Sequence, residues 1–214
     1  MKKTKTDITP YHGHFGVYLG AFIASLLVFG VTAALATYRH AVAGWELSLY
    51  HMINNWPNSL RGFFLGATLF PESLWTATLA VVLTFLVRMY RLSWRLSVCF
   101  IGGYGAAFVA KHFVGRGRPF EILHDTHTRA HETGMGFPSG HTMMITILML
   151  AILPYVPKKW RWLLPIPVVL MMLSRVYLGV HFPLDVIGGL AIGVGVVSFI
   201  RILPQPIKVA LRLD

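Results

Sequence analysis

The chain has 214 residues, of which 55% are hydrophobic and 13% charged, and its formal net charge at pH 7 is +11. Several near-continuous apolar runs reach the length of about 20 residues that a membrane-spanning helix needs, so the mean hydropathy of +0.61 argues against a soluble domain. The basic charges are dispersed between apolar runs, which argues against nucleic acid as a partner. Cys99 is the single cysteine and excludes an internal disulfide or a cysteine metal site.

The apolar runs predict an all-α fold, an integral-membrane bundle of six helices. The first run is long and no small-residue cleavage site follows it, so we interpret it as a retained span rather than a signal peptide. The predicted spans are residues 15–37, 72–88, 94–113, 139–156, 160–179 and 183–203. We therefore expect one membrane domain over 15–203, with tails over 1–14 and 204–214.

The distribution of Lys and Arg predicts the orientation, because cytoplasmic loops are enriched in both residues. Most of these residues fall on the side of the N-terminus, in the segments 2–5, 88–95, 158–161 and 201–212. We expect a multi-pass protein of the inner or plasma membrane with both termini in the cytoplasm. The polar loop before the fourth span would then be extracytoplasmic.

An amphipathic segment connects the first two spans. Its apolar helical face carries Trp45, Leu49, Met52, Ile53 and Trp56. Glu46, Ser48, Asn54 and Asn55 lie largely off that face. Two tryptophans on such a helix predict that it lies in the membrane interface. It could guide a lipid headgroup to a site, but we favour a simple connector.

The third span ends in a basic motif. Lys111 stands at the helix end, and Arg118 follows seven residues later, beyond two glycines. A mobile lysine charge and a planar arginine fork could converge on one phosphate if the glycines reverse the chain. The alternative is interfacial anchoring by long basic side chains.

The fourth span begins with Pro138-Ser139-Gly140-His141. Ser139 is a good N-cap, and the free amides of a helix N-terminus bind anions. His141, in the first turn, could protonate a leaving oxygen there. A capped helix with an incidental histidine is the alternative, but ionisable residues in apolar spans are usually functional.

The last motif joins the fifth and sixth spans. Arg175 precedes His181 by six residues, and Asp185 follows His181 by four. A helix that begins near Pro183 would let the Asp185 carboxylate hold one imidazole nitrogen and leave the other free as a nucleophile. The arginine fork suggests phosphate. The alternative is a membrane-helix end with stray charges.

Together, the three motifs resemble the three-part signature of the type 2 phosphatidic acid phosphatase superfamily. The matching stretches are Lys111-x6-Arg118-Pro119, Pro138-Ser139-Gly140-His141 and Ser174-Arg175-x5-His181-x3-Asp185. Every signature position matches, in order and at the family's spacings. The resemblance covers roughly residues 45–203. It implies a six-helix membrane phosphatase with an extracytoplasmic site, a phosphorylated membrane lipid as substrate and no metal or other cofactor.

The resemblance also implies a role for each signature residue. His181 would attack phosphorus and form a phosphohistidine, while Asp185 holds its other nitrogen. His141 would be the general acid and then the base for water. The phosphoryl oxygens would be bound by Lys111, Arg118, Ser139, Gly140 and Arg175.

The short chain, with its amphipathic segment before the second span, resembles the bacterial members of this family that dephosphorylate undecaprenyl diphosphate, and we expect the same substrate here. Phosphatidylglycerophosphate and lipid A phosphates are alternatives, as is transfer of the phosphate to a second lipid. A vanadium haloperoxidase would share the anion cage, but those relatives are soluble. A transporter would not require this histidine spacing. The sequence leaves tail specificity and oligomeric state open.

The loop from His124 to Glu132 contains three histidines, His124, His127 and His131. Histidine with carboxylate can bind zinc, but the spacing matches no known motif, so we favour a solvated active-site loop. Arg116 and Arg129 could contact the headgroup or face water.

Overall fold

The structure is a computed structural model that describes residues 15–38, 44–68, 73–211 and 213. The described residues form ten α-helices and no strand, which confirms the all-α prediction. The helices are α1 Phe15–Tyr38, α2 Gly44–Asn54, α3 Arg61–Ala67, α4 Ser73–Leu86, α5 Tyr90–Val114, α6 Pro119–Ile122, α7 Gly140–Ile152, α8 Pro165–Tyr177, α9 Pro183–Ile202 and α10 Gln205–Ala210. The predicted N-terminal tail, 1–14, lies outside the described residues.

Each of the six predicted spans coincides with a helix: α1, α4, α5, α7, α8 and α9. Among the described residues, three stretches are long and apolar enough to cross a membrane by length and composition: Phe15–Thr37, Tyr90–Ile122 and Pro183–Ile202. The helices α4, α7 and α8 are shorter, so the count of six crossings stays a prediction.

Helix α9 lies at the centre of the bundle and packs against α1, α5, α7 and α8. Its glycines allow a close approach to α7. A Cβ on Gly189 would lie 2.3 Å from the carbonyl oxygen of Ser139, and one on Gly193 would lie 2.7 Å from Cβ of Thr146. Small residues permit this packing between membrane helices.

Outer helices expose apolar side chains. Leu27 and Val31 of α1 and Phe108 and Phe113 of α5 are more than half exposed. Apolar surface of this extent is typical of contact with lipid rather than water.

Helix α2 turns its polar side into the protein. Glu46, Tyr50 and Asn54 are buried, while Trp45 and Met52 of the predicted apolar face are exposed. Burial of a carboxylate and an amide on this helix requires partners inside the protein. The segment is therefore more than the simple connector that the sequence favours.

The segment after α9 contains the short helix α10 and returns to the start of α5. Nε of Arg95 donates to the carbonyl of Leu213 at 3.0 Å, and Nζ of Lys208 donates to the carbonyl of Arg201 at 2.7 Å. The predicted C-terminal tail, 204–214, is thus held against the bundle where it is described. The three signature motifs lie at the opposite end of α5.

Candidate active site

The first motif is shaped by a helix end. Gly115 follows α5 in the left-handed conformation, with φ of 60°, which suits glycine at a helix C-terminus. The chain then reverses into α6, where the amide of Arg118 donates to Glu121 at 2.7 Å. Nζ of Lys111 donates to the carbonyl of Met135 across the reversal. The loop between α6 and α7 is thereby held over the end of α5.

The Arg118 side chain binds that loop and reaches toward His181. Its Nε donates to the carbonyl of Gly134 at 2.8 Å, and Nη2 donates to that of Thr133 at 3.0 Å. Nη1 donates to Oε2 of Glu132 at 2.6 Å and lies 3.4 Å from Nε2 of His181. Arg118 is 4% exposed, so its positive charge interacts with groups inside the protein rather than with water.

The second motif begins α7. Ser139 is the N-cap, and its Oγ accepts a long bond from the amide of Thr142 at 3.5 Å. The amide of Ser139 donates to the carbonyl of Asp185 at 2.9 Å. His141, in the first turn, places Nδ1 3.4 Å from Oε1 of Glu132. No contact joins Glu132 to Ser139 or to Gly140 among the described interactions.

The third motif places Arg175 and His181 on either side of a turn at Gly179. This glycine has φ of 76°, and a Cβ there would lie 2.7 Å from the carbonyl oxygen of His127, so only glycine fits. The amide of His181 donates to the carbonyl of Arg175 at 3.3 Å. Helix α9 then begins at Pro183, as the sequence predicts.

Asp185 lies beside one edge of the His181 ring. Its Oδ2 accepts the amide of Phe182 at 2.9 Å and lies 3.4 Å from Nδ1 of His181, although without the alignment of a hydrogen bond. The opposite nitrogen, Nε2, faces Glu132 at 3.5 Å. The ring therefore presents Nε2 to the loop and Nδ1 to the carboxylate, which is the placement that the sequence predicts for these two side chains, while their roles stay a prediction.

The Glu132 carboxylate lies where four signature side chains converge. Arg118, Arg175, His141 and His181 all approach its two oxygens. Burial opposes ionisation of Glu132, but the hydrogen bond from His181 and the charges of Arg175, His181 and His141 outweigh burial and hold the pKa of the carboxyl well below its usual range. The sequence does not single out Glu132 as a site residue.

The charges around this point exceed what one carboxylate neutralises. Arg118 and Arg175 both pair with the single carboxylate of Glu132, and Lys111 is a third cation close to it. Nε of Arg175 is also buried without a hydrogen-bond partner among the described residues. Buried donors normally have acceptors. The cage formed by Arg118, Arg175, His141 and His181 can therefore hold an anion with more charge and more oxygens than a carboxylate.

A second buried ion cluster lies behind Asp185 and was also missed from sequence. Arg116 donates to both Glu46 oxygens, at 3.0 and 2.7 Å, and to Oδ1 of Asp185 at 3.0 Å. Glu46 also accepts the amide of Leu184 at 2.9 Å. The only sequence signals were an acid in an amphipathic segment and an arginine between two glycines.

Arg116 and Arg129 neither face water nor reach the cage. Arg129 is 8% exposed and donates to Asn58 Oδ1 at 2.7 Å and to the carbonyls of Asn54, Tyr177 and Trp56 at 2.8–3.1 Å. It therefore fastens the loop to the ends of α2 and α8 and to the chain that follows α2. The burial of both arginines shows that the water-facing alternative was wrong, whereas contact with a substrate headgroup stays a prediction.

A cavity of about 890 Å³ opens beside the cage. Its walls include Arg61 and Thr68 on one side and the loop residues 126–132 on the other, and Arg175 lies at its inner end. His124, His127 and His131 are exposed. Within the described residues, no group of three His, Cys, Asp or Glu side chains could hold a metal ion.

Residues 92–207 match the model of the PAP2 superfamily. The chain belongs to this superfamily. The undecaprenyl-diphosphatase of Sulfolobus acidocaldarius is 32% identical over 154 residues, which are 70% of this chain and 74% of that protein. Phosphatidylglycerophosphatase B of Bacillus subtilis is 29% identical over 199 residues, which are 86% of this chain and 95% of that protein.

A solved PAP2 structure has a similar fold. The transmembrane PAP2 type phosphatidylglycerolphosphate phosphatase from Bacillus subtilis superposes with a TM-score of 0.69 at 25% identity, and covers 86% of this chain and 97% of that chain. PAP2 membership thus agrees with the resemblance of the three motifs and with the apolar helices, and identifies a hydrolase of the membrane lipid phosphatase class.

Proposed function

We propose that this protein hydrolyses undecaprenyl diphosphate to undecaprenyl phosphate at the extracytoplasmic face of the inner or plasma membrane. The observation that carries the proposal is the convergence of Arg118, Arg175, His141 and His181 on one carboxylate. Such a cage stabilises the charge of a transferring phosphoryl group. The terminal phosphoryl group of the substrate takes the place of the Glu132 carboxylate.

Nε2 of His181 attacks the terminal phosphorus and the bond from phosphorus to the bridging oxygen breaks. His141 donates a proton to the leaving undecaprenyl phosphate. Asp185, on the Nδ1 side, stabilises the phosphorylated imidazolium. His141 then removes a proton from water, which attacks the phosphohistidine and releases orthophosphate.

Arg118 and Arg175 hold the phosphoryl oxygens, together with Lys111, Ser139 and the Gly140 amide. Lys111 reaches the phosphoryl group only after a small rearrangement, because it binds the carbonyl of Met135 while Glu132 occupies the cage.

Phosphatidylglycerophosphate is the second candidate substrate. The relative named for that activity covers more of this chain than the undecaprenyl-diphosphatase does, 86% against 70%. The cage residues bind the phosphate and do not distinguish between lipid tails, so the geometry supports either substrate.

The test is phosphate release by the purified protein in detergent. Undecaprenyl diphosphate, phosphatidylglycerophosphate, phosphatidic acid and a lipid A phosphate are compared in parallel, with and without EDTA. We expect the fastest release from undecaprenyl diphosphate, unchanged by EDTA and absent in His181→Ala. Release that persists in His181→Ala would contradict the proposed nucleophile, and the absence of release from every lipid would contradict hydrolysis.

A further inference from the structure

The buried cluster of Glu46, Arg116 and Asp185 connects α2 to the His181 side chain. Arg116 holds Glu46 with both terminal nitrogens and uses Nη1 to hold Asp185 as well. Its guanidinium also lies 4.5 Å from the centre of the Phe182 ring. Side-chain exposure is 5% for Arg116, 1% for Glu46 and 0% for Asp185. Water therefore does little to screen these three charges.

The cluster carries two carboxylates and one guanidinium, so its net charge is negative by one unit. Buried charge without compensation is costly. The nearest group that can supply the missing positive charge is His181, whose Nδ1 lies 3.4 Å from Asp185. The imidazole is positively charged when it is protonated or phosphorylated, and only then is the cluster of four side chains neutral.

We infer that Glu46 and Arg116 are positioning residues that act through Asp185 and make the cluster charge-complementary to phosphorylated His181. This inference rests on the proposed function. Arg116 fixes the orientation of the Asp185 carboxylate through Oδ1, which leaves Oδ2 for the imidazole. Glu46 offsets the charge of Arg116, so Asp185 keeps its full electrostatic stabilisation of the positively charged imidazole.

Other charged groups also face His181 and must stay unchanged in a test. On the Nε2 side, Glu132 lies at 3.5 Å and Arg118 at 3.4 Å. Further charged or titratable groups from the packed elements are Arg175 of α8, His141 of α7 and Lys111 of α5. None of them contacts Glu46, so a substitution of Glu46 changes the Nδ1 side alone.

The first variant is Glu46→Gln, which keeps the size of the side chain and an oxygen for the amide of Leu184. Removing its charge makes the cluster neutral before phosphorylation and unfavourably positive afterwards. We expect kcat to fall by about 10- to 100-fold, the range found when groups that orient a metal-ligating histidine are removed. KM should stay within about twofold, because the phosphate cage is untouched.

The matched control is Asp125→Asn. It also removes a carboxylate near α2, but Asp125 pairs with His51 and its side chain is 68% exposed. We expect kcat within about twofold of the wild type, because an exposed ion pair has little effect.

The double variant Glu46→Gln with Arg116→Gln separates charge from structure. It returns the net charge of the cluster to minus one, since Asp185 remains as the only ion. Charge complementarity predicts a higher kcat for the double variant than for Glu46→Gln alone. Purely structural roles predict that the second substitution lowers kcat further. Arg116→Lys keeps the positive charge but loses the planar guanidinium that binds both carboxylates. Its kcat should lie between those of Glu46→Gln and the wild type.

A measurement that needs no turnover decides the inference independently of the proposed function. The His181 ring signals are followed by NMR of histidine-labelled protein in micelles and assigned by their absence in His181→Ala. In Glu46→Gln these signals should shift at a fixed pH, because the charge on the Nδ1 side of the ring has changed, and in the double variant they should return toward their wild-type positions.

Unchanged signals and unchanged kcat in Glu46→Gln would overturn the inference even if the wild type hydrolyses lipid phosphates. A double variant that is slower than Glu46→Gln would overturn it as well. A wild type that releases no phosphate would instead contradict the proposed function, and the NMR comparison would still decide the role of the Glu46–Arg116 pair.

Discussion

The amide of Ser139 donates to the carbonyl of Asp185 at 2.9 Å and thereby joins the starts of α7 and α9. This bond connects two of the three signature motifs through their backbones. It brings His141, two residues after Ser139, to the Glu132 carboxylate, which His181 also approaches. Gly189, in the second turn of α9 and about one turn after Asp185, leaves the space that this contact requires.

Gly189→Ala should therefore lower both stability and activity. The new methyl group would lie 2.3 Å from the carbonyl oxygen of Ser139, so α7 must shift. We expect a loss of about 1–3 kcal/mol in the free energy of unfolding, as for other overpacked cores, measured by thermal unfolding in detergent.

Gly105→Ala is the matched control, because a Cβ at this α5 position meets nothing within 4 Å. Alanine is the better helix former by about 1 kcal/mol, so this variant should be as stable as the wild type or more stable. Equal destabilisation by the two substitutions would show that the α7–α9 contact is not the cause.

Glu132→Gln should strengthen the binding of a phosphate-like anion. The wild-type carboxylate occupies the cage through Arg118 and Arg175, so an incoming phosphoryl group must displace a charged competitor. A neutral amide competes less well, and we expect orthovanadate or orthophosphate to inhibit at about tenfold lower concentration, or 1.4 kcal/mol of binding free energy.

Inhibition constants for the wild type, Glu132→Gln and Asp125→Asn provide this comparison. Weaker inhibition of Glu132→Gln would mean that the carboxylate supports anion binding rather than competing with it.

The same carboxylate predicts a pH-dependent contribution to stability. The pKa of Glu132 is lowered in the folded protein, since the surrounding cations and histidines outweigh burial. Its stabilising effect is therefore complete above the ordinary glutamate pKa of about 4.3 and is lost as the pH falls toward the lowered value.

The difference in unfolding temperature between the wild type and Glu132→Gln measures this effect. Near neutral pH the wild type should unfold several degrees higher, equivalent to about 2 kcal/mol, and the gap should narrow steadily below about pH 4. A gap that widens in acid would contradict the direction of the pKa shift.

The sequence predicted the helices and the signature residues because each of these depends on local information. Apolar length is enough to place α1, α5 and α9, and fixed spacing within a short stretch brings His181 and Asp185 together. The positions of Glu46 and Glu132 were missed for a different reason. Arg116 and Glu46 are separated by 70 residues, and no periodicity or spacing in one sequence reports a contact over that distance.

Arg129 illustrates the same limit. An arginine in a polar loop has no sequence feature that distinguishes an exposed side chain from one whose guanidinium lies 4.3 Å from the centre of the Tyr177 ring. The three carbonyls that it binds, at the end of α2, just after α2 and at the end of α8, become adjacent only in the folded bundle.

Arg129→Lys should loosen the loop over 126–132. Lysine keeps the charge but cannot bind the several acceptors around the planar guanidinium. We expect faster amide hydrogen exchange in the loop and a lower unfolding temperature, both small or absent in Arg61→Lys, because Arg61 donates one bond at 3.3 Å to the carbonyl of Arg129. Equal effects of the two substitutions would contradict the anchoring role.

The central claim is that Nε2 of His181 forms a bond to phosphorus. The most direct measurement is rapid quenching, under alkaline conditions that preserve phosphohistidine, of protein mixed with terminally ³²P-labelled undecaprenyl diphosphate, followed by mapping of the labelled peptide. We predict label on His181, none in His181→Ala, and label retained with slower turnover in His141→Ala. Phosphate release without any labelled histidine, or label on another residue, would contradict the account.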